Sequence, residues 1–301
     1  MPKSLVVLTG PTGIGKTAVA IKLAKYFNTE IVSSDSRQIF KELRIGTAVP
    51  TKQELSAVKH HFIQSHSITE NYNASKFESE AILLLTQLFK NHDLIILAGG
   101  SMLYIEAICK GIDYMPDADP EIRTGLKREL ENDGIEGLRL KLKKLDPEYY
   151  KVVDLKNPNR IIHALEICLM TGKTFSSFRT NSNKNRPFDI IKIGLNCNRN
   201  ILHDKINRRV DLMVKDGLEE EARSVFPQKH LNSLNTVGYK EWFSYFDGEI
   251  SRDKAIELVK RNSRRYARKQ LTWFRRDSEM KWFEPNQTEQ IIKYIETKLE
   301  K

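Results

Sequence analysis

The amino-acid sequence predicts an α/β fold: a parallel sheet flanked by helices, with a mostly helical insertion domain and a helical C-terminal part. Three observations predict it. The apolar run at 5–8 (LVVL) leads straight into "GPTGIGKT" at 10–17. Other short apolar runs recur later in the chain, separated by segments of helical spacing. Between about 116 and 185 such runs are missing, and the chain turns charged and helical.

The first strand and its loop specify the type of sheet. Gly10, Gly15, Lys16 and Thr17 fit the spacing G-x-x-x-x-G-K-[ST], so the fold is expected to be P-loop NTPase-like. Gly10, Pro11, Thr12, Gly13, Ile14 and Gly15 form the loop that would wrap a phosphate, with the backbone N–H groups of 13–17 turned onto its oxygens. Lys16 adds a positive charge, and the Thr17 hydroxyl is placed to bind Mg²⁺. Ala20, Leu23, Ala24 and Phe27 then fall at helical spacing. Further strands are expected at 30–33 (EIVS), 94–98 (LIILA) and 190–195 (IIKIGL), and a helix at 76–89. These runs are rich in β-branched residues and alternate little, as strands covered on both faces do. Strand and helix in turn argue for a parallel sheet with ligands at its carboxyl ends. The polar stretches "DYMPDADPE" (113–121) and "NSNKNRP" (181–187) bracket the insertion. The expected domains are therefore 1–115 plus 186–301 as the core, and 116–185 as the inserted helical domain.

Composition narrows the function classes. No apolar stretch approaches the ~20 residues of a membrane helix, and no charged leader precedes the first strand, so neither a membrane span nor secretion is expected. Cys109, Cys168 and Cys197 are odd in number and far apart, which suits free thiols in a reducing cytoplasm. The formal net charge of +10 suits an anionic partner, nucleic acid being the commonest large one, and equally a merely basic soluble protein. His60, His61 and His66 fit no standard zinc spacing, and a buried or capping role is expected of the histidine pair.

The phosphate loop lacks its usual companion. The strand in "DLIILAGGS" (93–101) ends without the carboxylate that helps hold Mg²⁺ in P-loop NTPases, so ATP hydrolysis loses support. The strand that ends in an acid is "EIVSSDS", which delivers Asp35. Its carboxylate suits either a general base or a helix N-cap. Residues 260–276 hold eight Lys and Arg and no acid. Arg261, Arg264, Arg265, Arg268 and Arg275 fall near one helical face, with Tyr266, Ala267 and Phe274 toward another as core anchors. That face suits nucleic-acid phosphates through Arg264, Arg268 and Arg275, or a solvated surface.

Taken together, "GPTGIGKT", "SSDSRQIF" (33–40), "IGTAVPT" (45–51), "HHFI" (60–63), "AGGSMLYIEAICKG" (98–111), "NPNRIIHALEI" (157–167), "VGYKE" (237–241) and "ARKQLTWFRR" (267–276) resemble the bacterial tRNA dimethylallyltransferases, the IPP transferase family. The resemblance implies transfer of the dimethylallyl group of dimethylallyl diphosphate to N6 of the adenosine 3′ of the anticodon, releasing pyrophosphate. It makes the tRNA anticodon arm and dimethylallyl diphosphate the partners and Mg²⁺ the cofactor, in a cytoplasmic monomer. Asp35 becomes the general base, Ser101 a hydroxyl near the reacting amine, and Lys16 a stabiliser of the leaving group. Arg209 is directed at the diphosphate. Asp35, Ser36, Arg37, Gln38 and Ser101 would meet the flipped adenosine and its neighbours, and Arg123, Asn159, Arg160, Ile161, Ile162 and His163 would contact tRNA. The sequence departs from the family pattern at Ser101 (usually Thr), Met102 (usually Gly), Asn159 (more often Gln) and His163 (more often Arg). A turn hydroxyl for Ser101 and a surface charge for Arg160 are the plainer readings. A P-loop small-molecule or nucleotide kinase is the rival function, and a non-catalytic RNA-binding protein a second.

Overall fold

The computed structural model describes residues 3–113, 115–116, 119–180 and 184–300. Among them, six parallel strands form one sheet: β1 (Ser4–Thr9), β2 (Ile31–Ser33), β3 (His60–His61), β4 (Leu94–Ala98), β5 (Asp189–Leu195) and β6 (Lys281–Phe283). Their spatial order is β3-β2-β4-β1-β5-β6. β1 lies between β4 and β5, with Val6 opposite Ile96 on one side and Ile191 on the other. All six of its residues are buried, which explains the absence of polar alternation in the sequence. Leu5 and Val7 face one apolar cluster, with the helix Ala74–Leu88 and Phe274. Val6 and Leu8 face another, with the helices Lys16–Tyr26 and Thr288–Leu299.

The edge strands β3 and β6 escape sequence reading because they are only two and three residues long. They become strands only by pairing, His60 with Ile31 and Trp282 with Gly194. The helix expected at 76–89 begins two residues earlier, where the Asn73 side chain accepts from the N–H groups of Ser75 and Lys76.

By their contacts the residues group into 1–109 with 185–301, and 110–184. Among its described residues the second group's elements are all helices, with Leu126, Leu138, Leu142, Ile161 and Leu165 in its own core. Three of its helices start alike. Asp119-Pro120, Asp146-Pro147 and Asn157-Pro158 each place an oxygen-bearing cap before a proline whose missing N–H costs nothing in the first turn. Within this group the side chains of Ile161 and Ile162 are buried. Both apolar side chains pack the helix Pro158–Thr171 into that core.

Candidate active site

β1 delivers the phosphate loop at its carboxyl end. Gly10, Gly13 and Gly15 all have positive φ (150°, 81° and 103°). A side chain at Gly13 would also meet Ile206 at 2.8 Å, so glycine is required there twice over. Gly15 caps the helix Lys16–Tyr26 without a side-chain bond, leaving the first N–H groups of that helix for a ligand. The Ile14 side chain is buried in the core, and Pro11 has no backbone N–H to donate. The Lys16 Nζ donates to the carbonyls of Gly10 and Pro11 at 3.0 Å. Burial lowers its pKa to about 8; the Asp35 charge opposes this and Arg209 adds to it. Arg209 donates to the Thr12 hydroxyl at 2.7 Å, and its own pKa is lowered by burial.

Two cavities meet at these residues. One, of about 290 Å³, is lined by Gly13, Gly15, Lys16 and Thr17 together with Gln38 and Gly99. The other, of about 270 Å³, is lined by Ser36, Arg37, Asn235, Gly238, Ser263 and Tyr266. Thr12, Asp35, Thr47 and Arg209 line both. Asp35 therefore stands where the phosphate side meets the second cavity.

The turn that carries Asp35 is held from several places. Its Oδ1 accepts from the N–H of Arg37 at 2.9 Å and of Gln38 at 3.3 Å, so the carboxylate caps its own turn. No helix follows, however, and the turn runs on to Phe40. The Ser101 Oγ accepts from the Ser36 N–H at 2.8 Å and donates to the Ser36 Oγ at 3.0 Å. Ser101 is buried, and its hydroxyl braces the Asp35 turn through Ser36. Arg37 donates to the carbonyls of Asn232 and Ser233, and Gln38 to those of Thr47 and Ala48.

Two residues of this site were missed or misread. Gln270 is buried; its Oε1 accepts from the Thr12 N–H and its Nε2 donates to the Gly100 carbonyl, both at 2.8 Å. It ties the phosphate loop to the turn after β4, and a Cβ on Gly100 would sit 2.4 Å from its amide nitrogen. The signal was present: Gln270 is an uncharged polar residue within a basic helix. Tyr266, expected as a core anchor, lines the cavity with Asp35 instead. Burial pushes its hydroxyl pKa up to about 12, reinforced by Asp35 and opposed by Arg37. The 44–48 loop beneath is fixed by Glu221, whose carboxylate accepts from the N–H groups of Arg44, Ile45 and Gly46 and from the Tyr239 hydroxyl.

The remaining expected residues lie elsewhere. Arg264, Arg268 and Arg275 line a separate cavity that shares no residue with the other two. Arg275 caps the end of the helix Arg252–Phe274 and is not part of its run. In the 110–184 group, Asn159 and Arg160 are exposed. There Arg123 donates to the buried Glu166 at 2.8 Å, with His163 Nδ1 3.7 Å from the same oxygen. Burial lowers the His163 pKa, against the pull of Glu166. His60 and His61 form the edge strand instead of a buried or capping pair. His61 bonds the Glu30 carboxylate and His60 the Val58 carbonyl. Among the described residues no group of three His, Cys, Asp or Glu could hold a metal ion.

Comparisons with known proteins extend this geometry. The family pattern described as IPP transferase matches residues 38–277. A tRNA dimethylallyltransferase of Phocaeicola vulgatus is 56% identical over 98% of both chains, and one of Bacteroides fragilis 55% identical over 99% of both. The crystal structure of a tRNA isopentenylpyrophosphate transferase from Bacillus halodurans superposes with a TM-score of 0.74 at 36% identity, over 99% of this chain and 97% of that one. With a parallel sheet, a phosphate loop on its central strand, and likeness to these proteins along nearly its whole length, the chain belongs to the IPP transferase family.

Proposed function

We propose that the protein is a tRNA dimethylallyltransferase. It moves the dimethylallyl group from dimethylallyl diphosphate to N6 of the adenosine 3′ of the anticodon and releases pyrophosphate. The observation that carries this reading is the position of Asp35 on the shared wall of the two cavities. A diphosphate on the Lys16 side and an adenine on the Tyr266 side would both reach it. The N6 lone pair attacks C1 of the allylic group, the C1–O bond breaks with its electrons leaving on pyrophosphate, and the N6 proton passes to the free carboxylate oxygen of Asp35. Lys16, Arg209 and the loop N–H groups steady the charge that builds on the leaving group.

The donor chemistry suits Mg²⁺. The Thr17 hydroxyl lines the phosphate cavity and has no hydrogen-bond partner among the described residues. Mg²⁺ is commonly held by one or two protein oxygens plus substrate phosphates. Thr17 would hold it, and the ion would neutralise diphosphate charge. Arg123, Asn159 and Arg160 on the 110–184 group, and Ser36, Arg37 and Gln38 beside Asp35, would meet the anticodon arm. Flipping the target base out of its stack would bring it to the cavity. No described helix is long and apolar enough to cross a membrane; we take the protein to act as a cytoplasmic monomer.

The test incubates purified protein with tRNA and dimethylallyl diphosphate and scores pyrophosphate and N6-modified adenosine. Both should appear in equal amounts without ATP. Phosphoryl transfer from ATP to a small molecule, with no modified adenosine, would replace this reading with a kinase.

A further inference from the structure

The helix Leu218–Val225 opens with three glutamates, Glu219, Glu220 and Glu221, a run that by composition reads as a solvated face. They part company in the fold. Glu220 is exposed, and Glu219 pairs with Arg252 at 2.7 Å. Glu221 turns toward the 44–48 loop, where four donors meet it. One carboxylate oxygen accepts from the N–H groups of Arg44 at 3.0 Å and Ile45 at 2.7 Å. The other accepts from the Gly46 N–H at 2.9 Å and the Tyr239 hydroxyl at 2.6 Å. A carboxylate offers about four lone-pair directions, and here all are used.

Three successive N–H groups converging on one anion form a nest, a backbone shape that calls for negative charge at its centre. The charge comes from a residue 175 to 177 positions away. The groups it gathers belong to two walls of the cavity lined by Tyr266. Gly46 and Thr47 form part of one wall, and residues 235–238 with Lys240 form part of another. The two walls touch, since a Cβ on Gly46 would lie 2.7 Å from the Tyr239 ring. From the first wall the connection runs on to Asp35. Gln38 donates its side-chain amide to the carbonyls of Thr47 at 3.1 Å and Ala48 at 2.9 Å, and its backbone N–H to the Asp35 carboxylate. Ala48 sits at φ 53°, a left-handed geometry uncommon for a residue with a side chain, so this corner has to be held.

We propose that Glu221 is a positioning residue of the transfer reaction. It sets the acceptor side of the site, the cavity walls around the adenine and the turn that carries Asp35, through the groups it holds and not by contact with substrate. The inference rests on the transferase reading above. A neutral amide cannot take its place. In Glu221→Gln the oxygen can accept from one pair of donors, and the amide nitrogen must face the other pair, donor against donor. The phosphate loop is shaped by its own glycines and by Lys16, so its grip on pyrophosphate should survive.

The test compares wild type with Glu221→Gln and with Tyr239→Phe, which keeps the buried ring and removes one of the four donors. Single-turnover transfer at saturating substrates should fall by about tenfold to a hundredfold in the Gln variant and by about threefold in the Phe variant. Pyrophosphate affinity should stay within about twofold in both. The rate is taken per folded protein, with thermal melting as the control. A carboxylate that serves stability alone would lower the melting temperature and leave that rate unchanged, and this outcome overturns the proposal. If the Gln variant does not fold, an unchanged rate in the folded Phe variant overturns it equally. Transfer and pyrophosphate affinity falling together would put the effect on the phosphate loop and overturn the assignment to the acceptor side. Wild-type protein that binds tRNA without modifying it would sink the transferase reading instead. The folded variants should then still bind that tRNA more weakly, by about threefold or more for Gln, and wild-type affinity in both overturns the role of Glu221.

Discussion

The phosphate loop and the turn carrying Asp35 border the same cavity, yet they are held in different ways. The loop is organised largely from within. Three positive-φ glycines shape it, and Lys16 folds back onto the carbonyls of Gly10 and Pro11. The Asp35 turn is a product of the fold. Ser101 holds Ser36, residues 47 and 48 hold Gln38, and the carbonyls of residues 232 and 233 hold Arg37. A phosphate grip can be written in eight consecutive residues. Positioning a base against it requires partners brought from far along the chain.

The sharpest break in this comparison is Asp35→Asn. The substitution keeps the oxygen that caps the turn and removes the proton acceptor. Single-turnover transfer at saturating substrates should fall by about 10² to 10⁴, while affinity for dimethylallyl diphosphate stays within about twofold, since the loop is untouched. Near-normal turnover would reduce Asp35 to a turn cap.

Gln270→Ala attacks the point where the loop depends on the fold. It strands the Thr12 N–H and the Gly100 carbonyl, each costing about 1 to 3 kcal/mol if left unpaired. Pyrophosphate affinity should drop by about tenfold or more and the melting temperature should fall. A folded variant with wild-type pyrophosphate affinity would show that the loop keeps its shape alone.

The buried Lys16 gives a pH test. Burial holds its pKa near 8, and a bound anion raises it. Binding therefore takes up a proton above that pH. Pyrophosphate affinity should be full below pH 8 and weaken as pH rises through it, by up to about tenfold per unit. Lys16→Arg, charged throughout, should lack the extra fall relative to wild type when both are titrated in parallel.

The smallest effect is expected at Ser101. Ser101→Thr retains the hydroxyl and should change transfer by less than about twofold. Ser101→Ala removes the acceptor for the Ser36 N–H and should cost about 1 kcal/mol, seen as a few-fold loss of transfer. Equal activity of the Ala and Thr variants would mean that the Asp35 turn does not need this bond.

Several parts of the molecule were legible in the sequence. β1, β4 and β5 are apolar runs long enough to state their own conformation. The glycines and Lys16 of the loop carry a spacing that only a phosphate cradle needs. All of these are encoded by residues within one or two turns of each other, so local pattern suffices.

What the sequence could not determine is which neighbour covers a given face. Periodicity marked Tyr266 as an inward residue of the basic helix, but whether inward meant core or cavity depended on Asp35, 231 positions earlier. Ile161 and Ile162 lie in a stretch expected to touch tRNA, and only the packing of the 110–184 helices shows those two side chains turned into a core. Gln270 bonds Thr12 across 258 residues, and no local signal specifies such a partner. Strand and helix identity follow from short-range sterics and apolar spacing. The distances between Asp35, Lys16 and Tyr266 follow from how buried surfaces close on one another, and that is decided only when the whole chain packs.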